Sequence, residues 1–466
     1  MKFAPLFSLL LAAFPRLLLG SDDGTSPNIV HIVADDLGWN DVGFHGSEIK
    51  TPHLDSLSRD SIELTRFYVT PVCSPTRAGI LTGRYPFRFG IFGGVCTPTT
   101  RHGIPPSELT IPELLARAGY KHRALMGKWH LGHASTIFHP LNHGFTHFYG
   151  HYNGAIDYFS RHRHGTLDWH RDFEPVREKG YSTDLIGKAA SSFIRAHAGK
   201  GPFHLMVAFN APHSPLQAKE DDLNEYQFES SSPRVKNTVT GIARKEKAPN
   251  YGKVGRGNSE RQTFAAMTTA MDRNIGLILN ALEEKNLNEN TLLIFHSDNG
   301  GIPKHGGNNA PFRGNKFTTW EGGVRVVCLI RWPGVINNTG PIDQATAYID
   351  ILPTIANIVN LPLPDQVDGV SLLPVLTRKE QLKPRSIILG PKTVVSEDWK
   401  LVDGQLFRLD HDPQEKNDLS ETQPKIAAEL QSHLIKFDEF EGPKFKSKLP
   451  NPSSWPPPEW KIPAER

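Results

Sequence analysis

Six short stretches of this chain hold the residue types that could do chemistry. Asp35-Asp36 closes "NIVHIVADD", and Asp298-Asn299 closes "TLLIFHSDN". Lys128 and His130 follow "HRALMG", His213 follows "FHLMVAFNAP", and Lys316 sits in "PFRGNKFTTWEGG". The sixth stretch, "VCSPTRAGILTG", holds Cys73 and Arg77. Asp35, Asp36, Asp298 and Asn299 offer only oxygen ligands, the donor set of a hard cation such as Ca²⁺ or Mg²⁺ rather than zinc. Three aspartates, one divalent cation and the basic Arg77, Lys128 and Lys316 leave a pocket of net positive charge. Such a pocket suits an anionic ester whose oxygens complete the metal shell.

Cys73 has four open fates: a buried core cysteine, a thiolate nucleophile, half of a disulfide, or a precursor of another group. At the start of a helix, backbone N–H groups and Arg77 one turn on would lower its pKa and favour the thiolate. Its spacing from Arg77 is shorter than the phosphate-cradling loop of cysteine-dependent phosphatases. Only three cysteines occur in 466 residues, so setting Cys73 aside leaves Cys96 and Cys328 for at most one bridge.

Positioning these groups requires strands that end together. Apolar runs at 28–34, 122–127, 203–209, 291–296 and 324–330 read as buried strands. Helical patterns at 51–62, 74–83, 110–119, 183–198, 264–285 and 348–359 lie between them. Alternation of this kind predicts an α/β protein with a large, mostly parallel sheet covered on both faces. In such sheets ligands bind outside the carboxyl ends of the strands, where four of these runs deliver their polar residues. Residues 220–262 read as an exposed, charged insertion. After about residue 375, short antiparallel strands and a final helix predict a small C-terminal α+β subdomain (376–446). A proline-rich tail (447–466) ends the chain.

A net charge of +3 excludes a nucleic-acid binder argued from charge alone, and no apolar stretch is long enough to span a membrane. "MKFAPLFSLLLAAFPRLLLG" reads as a signal peptide over residues 1–20, leaving a catalytic domain over 21–375. The expected location is secreted or periplasmic, or lysosomal in a eukaryote.

Cys73-Ser74-Pro75-Thr76-Arg77 followed by Leu81-Thr82-Gly83-Arg84 resembles the C-x-P-x-R…T-G-R signature of the type I sulfatases. "ADDLGWNDVGFHG", "GYKHRALMGKWHLG", "NAPHSP", "HSDNGG" and "GNKFTTWEGGVRV" match further motifs of that family, in family order, over about residues 28–420. The opening segments look most like the arylsulfatase B branch, the N-acetylgalactosamine-4-sulfatases. Few cysteines and Val327 in place of the family's proline depart from the pattern.

The resemblance implies an alkaline phosphatase-like α/β/α sandwich and sulfate-ester hydrolysis. It implies that a formylglycine-generating or anaerobic sulfatase-maturating enzyme converts Cys73 to Cα-formylglycine, whose hydrate is the nucleophile. Asp35, Asp36, Asp298, Asn299 and the modified Cys73 would hold one Ca²⁺. Arg77 would steady the hydrate, and Lys128 and Lys316 would grip sulfate oxygens. His213 would protonate the leaving oxygen, and His130 would take a proton as sulfate departs. The implied substrate is a sulfated sugar or polysaccharide of galactose or N-acetylgalactosamine type. Eleven of the 21 histidines lie between His102 and His170, and Asp157, Arg161, Arg163, Trp169 and His170 are expected near the site mouth. Two alternatives stand beside this: a phosphonate or phosphate ester hydrolase of the same superfamily, and a silent protein that only binds sulfated glycans.

Overall fold

The computed structural model describes residues 26–438, apart from 93, 99, 101, 164–165, 237–250 and 338. Its centre is five parallel strands: β1 (Asn28–Ala34), β2 (His122–Lys128), β3 (His147–His151), β4 (Phe203–Ala208) and β5 (Thr291–Ser297). They lie in the order β5-β1-β4-β2-β3. All seven residues of β1 and of β5 are buried, which explains their mainly apolar pattern. Side chains alternate between faces. Ile29 and Val33 enter one core, and Val30, Ile32 and Ala34 the other.

The first core packs against α1 (Cys73–Thr82) through Ala78, Ile80 and Leu81. The second packs against α2 (Ser182–His197) and α3 (Glu260–Glu284) through Ile186, Phe193, Met267 and Ile275. A helix α4 (Ile351–Ile358) completes the first layer. The result is the expected α/β/α sandwich. All ten residues of α1 are buried, so this helix has no polar face and reads as core despite carrying the Cys73 motif. Gly79 is required there, because a Cβ would lie 2.0 Å from the Tyr348 ring.

Two local expectations change. The run at 324–330 is not one strand. Glu321–Val324 makes a single helical turn, and Arg325–Val326 pairs antiparallel with Phe67–Tyr68 in a small separate sheet. Then β6 (Cys328–Arg331) returns antiparallel to β5. Ile62–Glu63 beyond β6, and His170–Arg171 and Glu174–Pro175 beyond β3, complete a nine-stranded mixed sheet. The 220–262 stretch is not wholly exposed, because Glu220–Asn224 forms a short helix that buries Asp222 and Leu223.

The C-terminal part is an antiparallel sheet of β7 (Ser386–Gly390), β8 (Thr393–Ser396), β9 (Trp399–Val402) and β10 (Gln405–Arg408), with α5 (Pro424–Asp438). Val394, Leu401, Leu406, Leu430 and Leu434 form its core. It is anchored to the main body by Lys400 of β9, whose buried Nζ lies 2.8 Å from Glu321 and 2.9 Å from Glu415. Removing the cation leaves two buried carboxylates facing each other, so Lys400→Met is expected to lower stability by about 3–5 kcal/mol. An unchanged urea midpoint would contradict this anchoring.

The signal peptide expected over 1–20 and the proline-rich tail expected over 447–466 lie outside the described residues. No helix among the described residues is long and apolar enough to cross a membrane. Cys73, Cys96 and Cys328 are all free and buried.

Candidate active site

Because β1, β2, β4 and β5 run parallel, their carboxyl ends share one edge. Ala34 pairs with Ser297, so Asp35-Asp36 and Asp298-Asn299 leave the sheet as neighbours. Asp36 takes a left-handed φ of 67°, and the Asp36 N–H reaches Asp298 Oδ1 at 3.3 Å. That turn lets two consecutive aspartates converge instead of facing apart. His130, two residues past the end of β2, also has a positive φ, 58°. Strained backbone at non-glycine positions clusters where side chains must be aimed.

Each aspartate has a lysine or arginine within 2.8 Å. Lys128 Nζ lies 2.6 Å from Asp35 Oδ2, and Lys316 Nζ lies 2.6 Å from Asp36 Oδ1. Arg77 donates from Nε and Nη2 to Asp298 Oδ2 at 3.0 and 2.8 Å, and from Nη1 to the Lys128 carbonyl. Asn299 Nδ2 donates to Asp36 Oδ1 at 2.8 Å. His213 Nε2 is 3.6 Å from Asp36 Oδ2, while its Nδ1 donates to the Ser214 carbonyl at 2.6 Å. Cys73 Sγ sits 3.2 Å from His130 Nδ1. All ten residues expected at the site therefore come together.

Three buried oxygens remain without a hydrogen-bond donor: Asp35 Oδ1, Asp36 Oδ2 and Asn299 Oδ1. Buried acceptors are normally satisfied. Ligand atoms of Asp35, Cys73 and Asp298 lie within 4.8 Å of one another, as do those of Asp35, Asp36 and His213. Orphaned oxygens in an all-oxygen acidic cluster fit a hard divalent cation. Electrostatics point the same way. Burial pushes the Asp35 carboxyl up, and Lys128 offsets this only in part. Burial also acts on Asp36, but Lys316 and His213 outweigh it and hold that carboxyl well below the usual range. The Lys316 ammonium, though buried, is held charged by Asp36.

Burial moves both histidines well below the ordinary imidazole range. Lys128 adds to the effect at His130, and Asp36 opposes it at His213. Cys73 corrects an expectation. Its pKa is raised, not lowered, because burial outweighs Lys128 and Lys316. The unmodified thiol is thus held protonated, which disfavours the thiolate nucleophile.

Several functional neighbours carry no sequence signal. Ser74 Oγ donates to the His130 carbonyl at 2.8 Å and accepts from the Cys96 N–H at 3.1 Å, tying the start of α1 to the His130 loop. Tyr158 Oη donates to the His213 carbonyl at 2.7 Å. Phe317, beside Lys316, is 67% exposed, with φ 77° and its N–H on the Pro71 carbonyl at 2.9 Å. An exposed aromatic in strained backbone next to the site is unusual.

By contrast, several polar residues expected at the mouth are structural. Arg161 is buried on the carbonyls of Phe159, Glu178 and Gly180. Asp157 receives N–H groups of Phe159, Ser160 and Gly252. Trp169 Nε1 donates to Glu178, and His170 pairs with Asp168. Arg163 lies against Tyr251. They shape the loop after β3, whose backbone needs partners away from water.

Comparison with known proteins identifies the family. The Sulfatase family model matches residues 27–361. Mouse (Mus musculus) arylsulfatase J is 32% identical over 361 residues, covering 75% of this chain and 56% of that protein. The chain thus spans little more than half the length of this relative. Mouse N-acetylgalactosamine-6-sulfatase is 32% identical over 402 residues, covering 80% of this chain and 70% of that protein. Among solved structures, Ps i-CgsB in complex with k-i-k-neocarrahexaose superposes with a TM-score of 0.77. It is 30% identical and covers 90% of this chain and 94% of that one. The chain belongs to the sulfatase family, enzymes that hydrolyse sulfate esters.

Proposed function

We propose that this protein is an exported carbohydrate sulfatase that acts through Cys73 as Cα-formylglycine, with one Ca²⁺ held by Asp35, Asp36, Asp298 and Asn299. The observation that carries this is the placement of Cys73 Sγ beside the acidic cluster and 3.2 Å from His130 Nδ1. In this reading Sγ stands where an oxygen of the hydrated aldehyde would be. The hydrate supplies the attacking oxygen, and the calcium ion supplies positive charge for the sulfate.

The chain's own residues do the rest. Lys128 and Lys316 present ammonium groups to the sulfate oxygens and offset the charge that makes a sulfate ester a poor electrophile. Arg77, locked on Asp298, keeps positive charge beside Cys73. His213 would be the acid for the leaving sugar oxygen only as the imidazolium, with Nδ1–H fixed on the Ser214 carbonyl and the transferable proton on Nε2. There Asp36, at 3.6 Å, opposes the burial that favours the neutral ring. His130 Nδ1 takes the proton of the remaining hydroxyl as sulfate departs. Its ring is held close by Gly154, where a Cβ would lie 2.3 Å from the imidazole.

A sugar sulfate is supported by the relatives named for N-acetylgalactosamine 6-sulfate and by the neighbour solved with a neocarrahexaose. Galactose and N-acetylgalactosamine sulfates are the substrates to try first. Phe317 offers a platform for the sugar ring that bears the sulfate or its neighbour. Phe317→Ala is expected to raise KM for an oligosaccharide sulfate about 3–10-fold with little change in kcat, and to leave a small aryl sulfate unaffected. Equal KM values for both enzymes on the oligosaccharide would remove Phe317 from the substrate site.

Matched aryl sulfate and aryl phosphodiester substrates test the reaction class. The expected kcat/KM ratio favours sulfate by at least about 100-fold, some 2.7 kcal/mol of transition-state preference. A reversed ratio would assign the site to phosphate esters. Binding of sulfated oligosaccharide with no sulfate released would leave a silent binder.

A further inference from the structure

The opposite edge of the sheet carries a second cluster that the sulfatase chemistry does not use. His122 opens β2, His147 opens β3, and His197 ends α2. Ala124 pairs with His147 across the parallel ladder. His122 lies two residues before Ala124, so both histidines face the same side of the sheet. The helix α2 packs against β2 and β3 and brings His197 to them. Ring centroids are 4.2 Å apart for His122 and His197, 5.5 Å for His147 and His197, and 6.0 Å for His122 and His147. One ligand nitrogen from each lies within 4.8 Å of the other two, and all three side chains are half-buried.

Two of the tautomers follow from the hydrogen bonds. His197 Nδ1 is 2.9 Å from the Phe193 carbonyl, which can only accept. Nδ1 therefore carries the proton, and Nε2 keeps its lone pair. Thr146 Oγ1 donates to the Arg123 carbonyl at 3.1 Å, so it accepts from His147 Nδ1 at 2.9 Å. His147 Nε2 is left with its lone pair in the same way. Metal-binding histidines are oriented by such a bond on the other ring nitrogen.

We propose that His122, His147 and His197 bind one divalent transition-metal ion of the zinc, nickel or copper class at the amino-terminal edge of the sheet. Three imidazoles without a carboxylate favour those ions over Ca²⁺ or Mg²⁺. Burial, then the neighbouring His197, lowers the pKa of His122 and of His147, which favours the neutral, ligating form. Lys121, Lys200 and Arg123 oppose a cation here, and Asp172 favours it. The balance makes the site weaker than a four-ligand structural zinc site. A tetrahedral ion binds nitrogen at about 2.0–2.1 Å, so the half-buried rings must close by about 1 Å on loading, with water as fourth ligand. Six residue steps along β2, at about 3.3 Å each, separate His122 from Lys128 by about 20 Å. The ion would pin the end of α2 to β2 and β3 and take no part in sulfate release.

The untagged, calcium-loaded chain tests this by titration with Co²⁺ and then Zn²⁺. The expected result is one Co²⁺ per chain with the intense visible absorption of a tetrahedral site, displaced by Zn²⁺ and not by excess Ca²⁺. Zn²⁺ should also raise the thermal midpoint. His147→Ala and His197→Ala should each weaken Zn²⁺ binding by at least about 100-fold, beyond the 10–100-fold typical of an outer-shell change, with unchanged circular dichroism. Equal Zn²⁺ affinity in variants and parent overturns the proposal. If a variant does not fold, the parent decides alone: only the weak absorption of octahedral Co²⁺ also overturns it.

Discussion

Cys73→Ser is expected to abolish multiple turnover, with kcat falling by at least about 10⁴-fold, while the chain folds normally. Cys73 is buried at the start of α1, and serine differs there only by a smaller, harder atom. The seryl oxygen would occupy the place of Sγ, 3.2 Å from His130 Nδ1. It could accept a sulfuryl group once. No second hydroxyl would then remain for His130 to deprotonate, so the sulfated chain could not release its product by that route. The variant should show at most one sulfate transferred per chain. Near-normal steady-state rates in Cys73→Ser would sink the mechanism, because nothing else in the cluster would distinguish the two side chains so strongly.

Removing the divalent ion is the second large effect. Asp35 Oδ1, Asp36 Oδ2 and Asn299 Oδ1 are buried without donors, and Asp35 sits among Asp36 and Asp298. Without a cation, the site holds matched charges: each aspartate is paired by Lys128, Lys316 or Arg77. Those bases are then committed to carboxylates and offer less to a sulfate. Chelation is expected to lower kcat/KM by about 10²–10³-fold, reversed by Ca²⁺. Asp35→Asn should cause a similar loss that added Ca²⁺ does not restore, and should remove the rise in thermal midpoint that Ca²⁺ gives the parent chain. Full activity after exhaustive chelation, with no effect of Ca²⁺ on thermal stability, would contradict the assignment.

The site was legible because parallel strands impose a simple rule. Asp35, Lys128, His213 and Asp298 all follow apolar runs, and runs that pair in parallel must end on one edge. The sequence could not show how two adjacent aspartates converge, since that depends on the left-handed turn at Asp36. β3 was hidden because "HFYGH" mixes imidazole, aromatic and glycine in place of an apolar run. The 324–330 run looked continuous because Val326 to Ile330 are all buried, although the chain changes partner at Val327. The depressed thiol pKa expected at Cys73 failed because helix-end and charge effects were weighed without burial, which dominates. Phe317 is one of three aromatics in its loop, with Phe312 and Trp320, and only its exposure and backbone set it apart.

The most direct measurement is the mass of the peptide spanning Cys73, taken from catalytically active protein. Conversion of the thiol to an aldehyde removes about 18 Da by atomic composition. The account predicts that this lighter peptide is present and that its fraction tracks specific activity across preparations. Active enzyme whose Cys73 peptide carries only the intact thiol would contradict it.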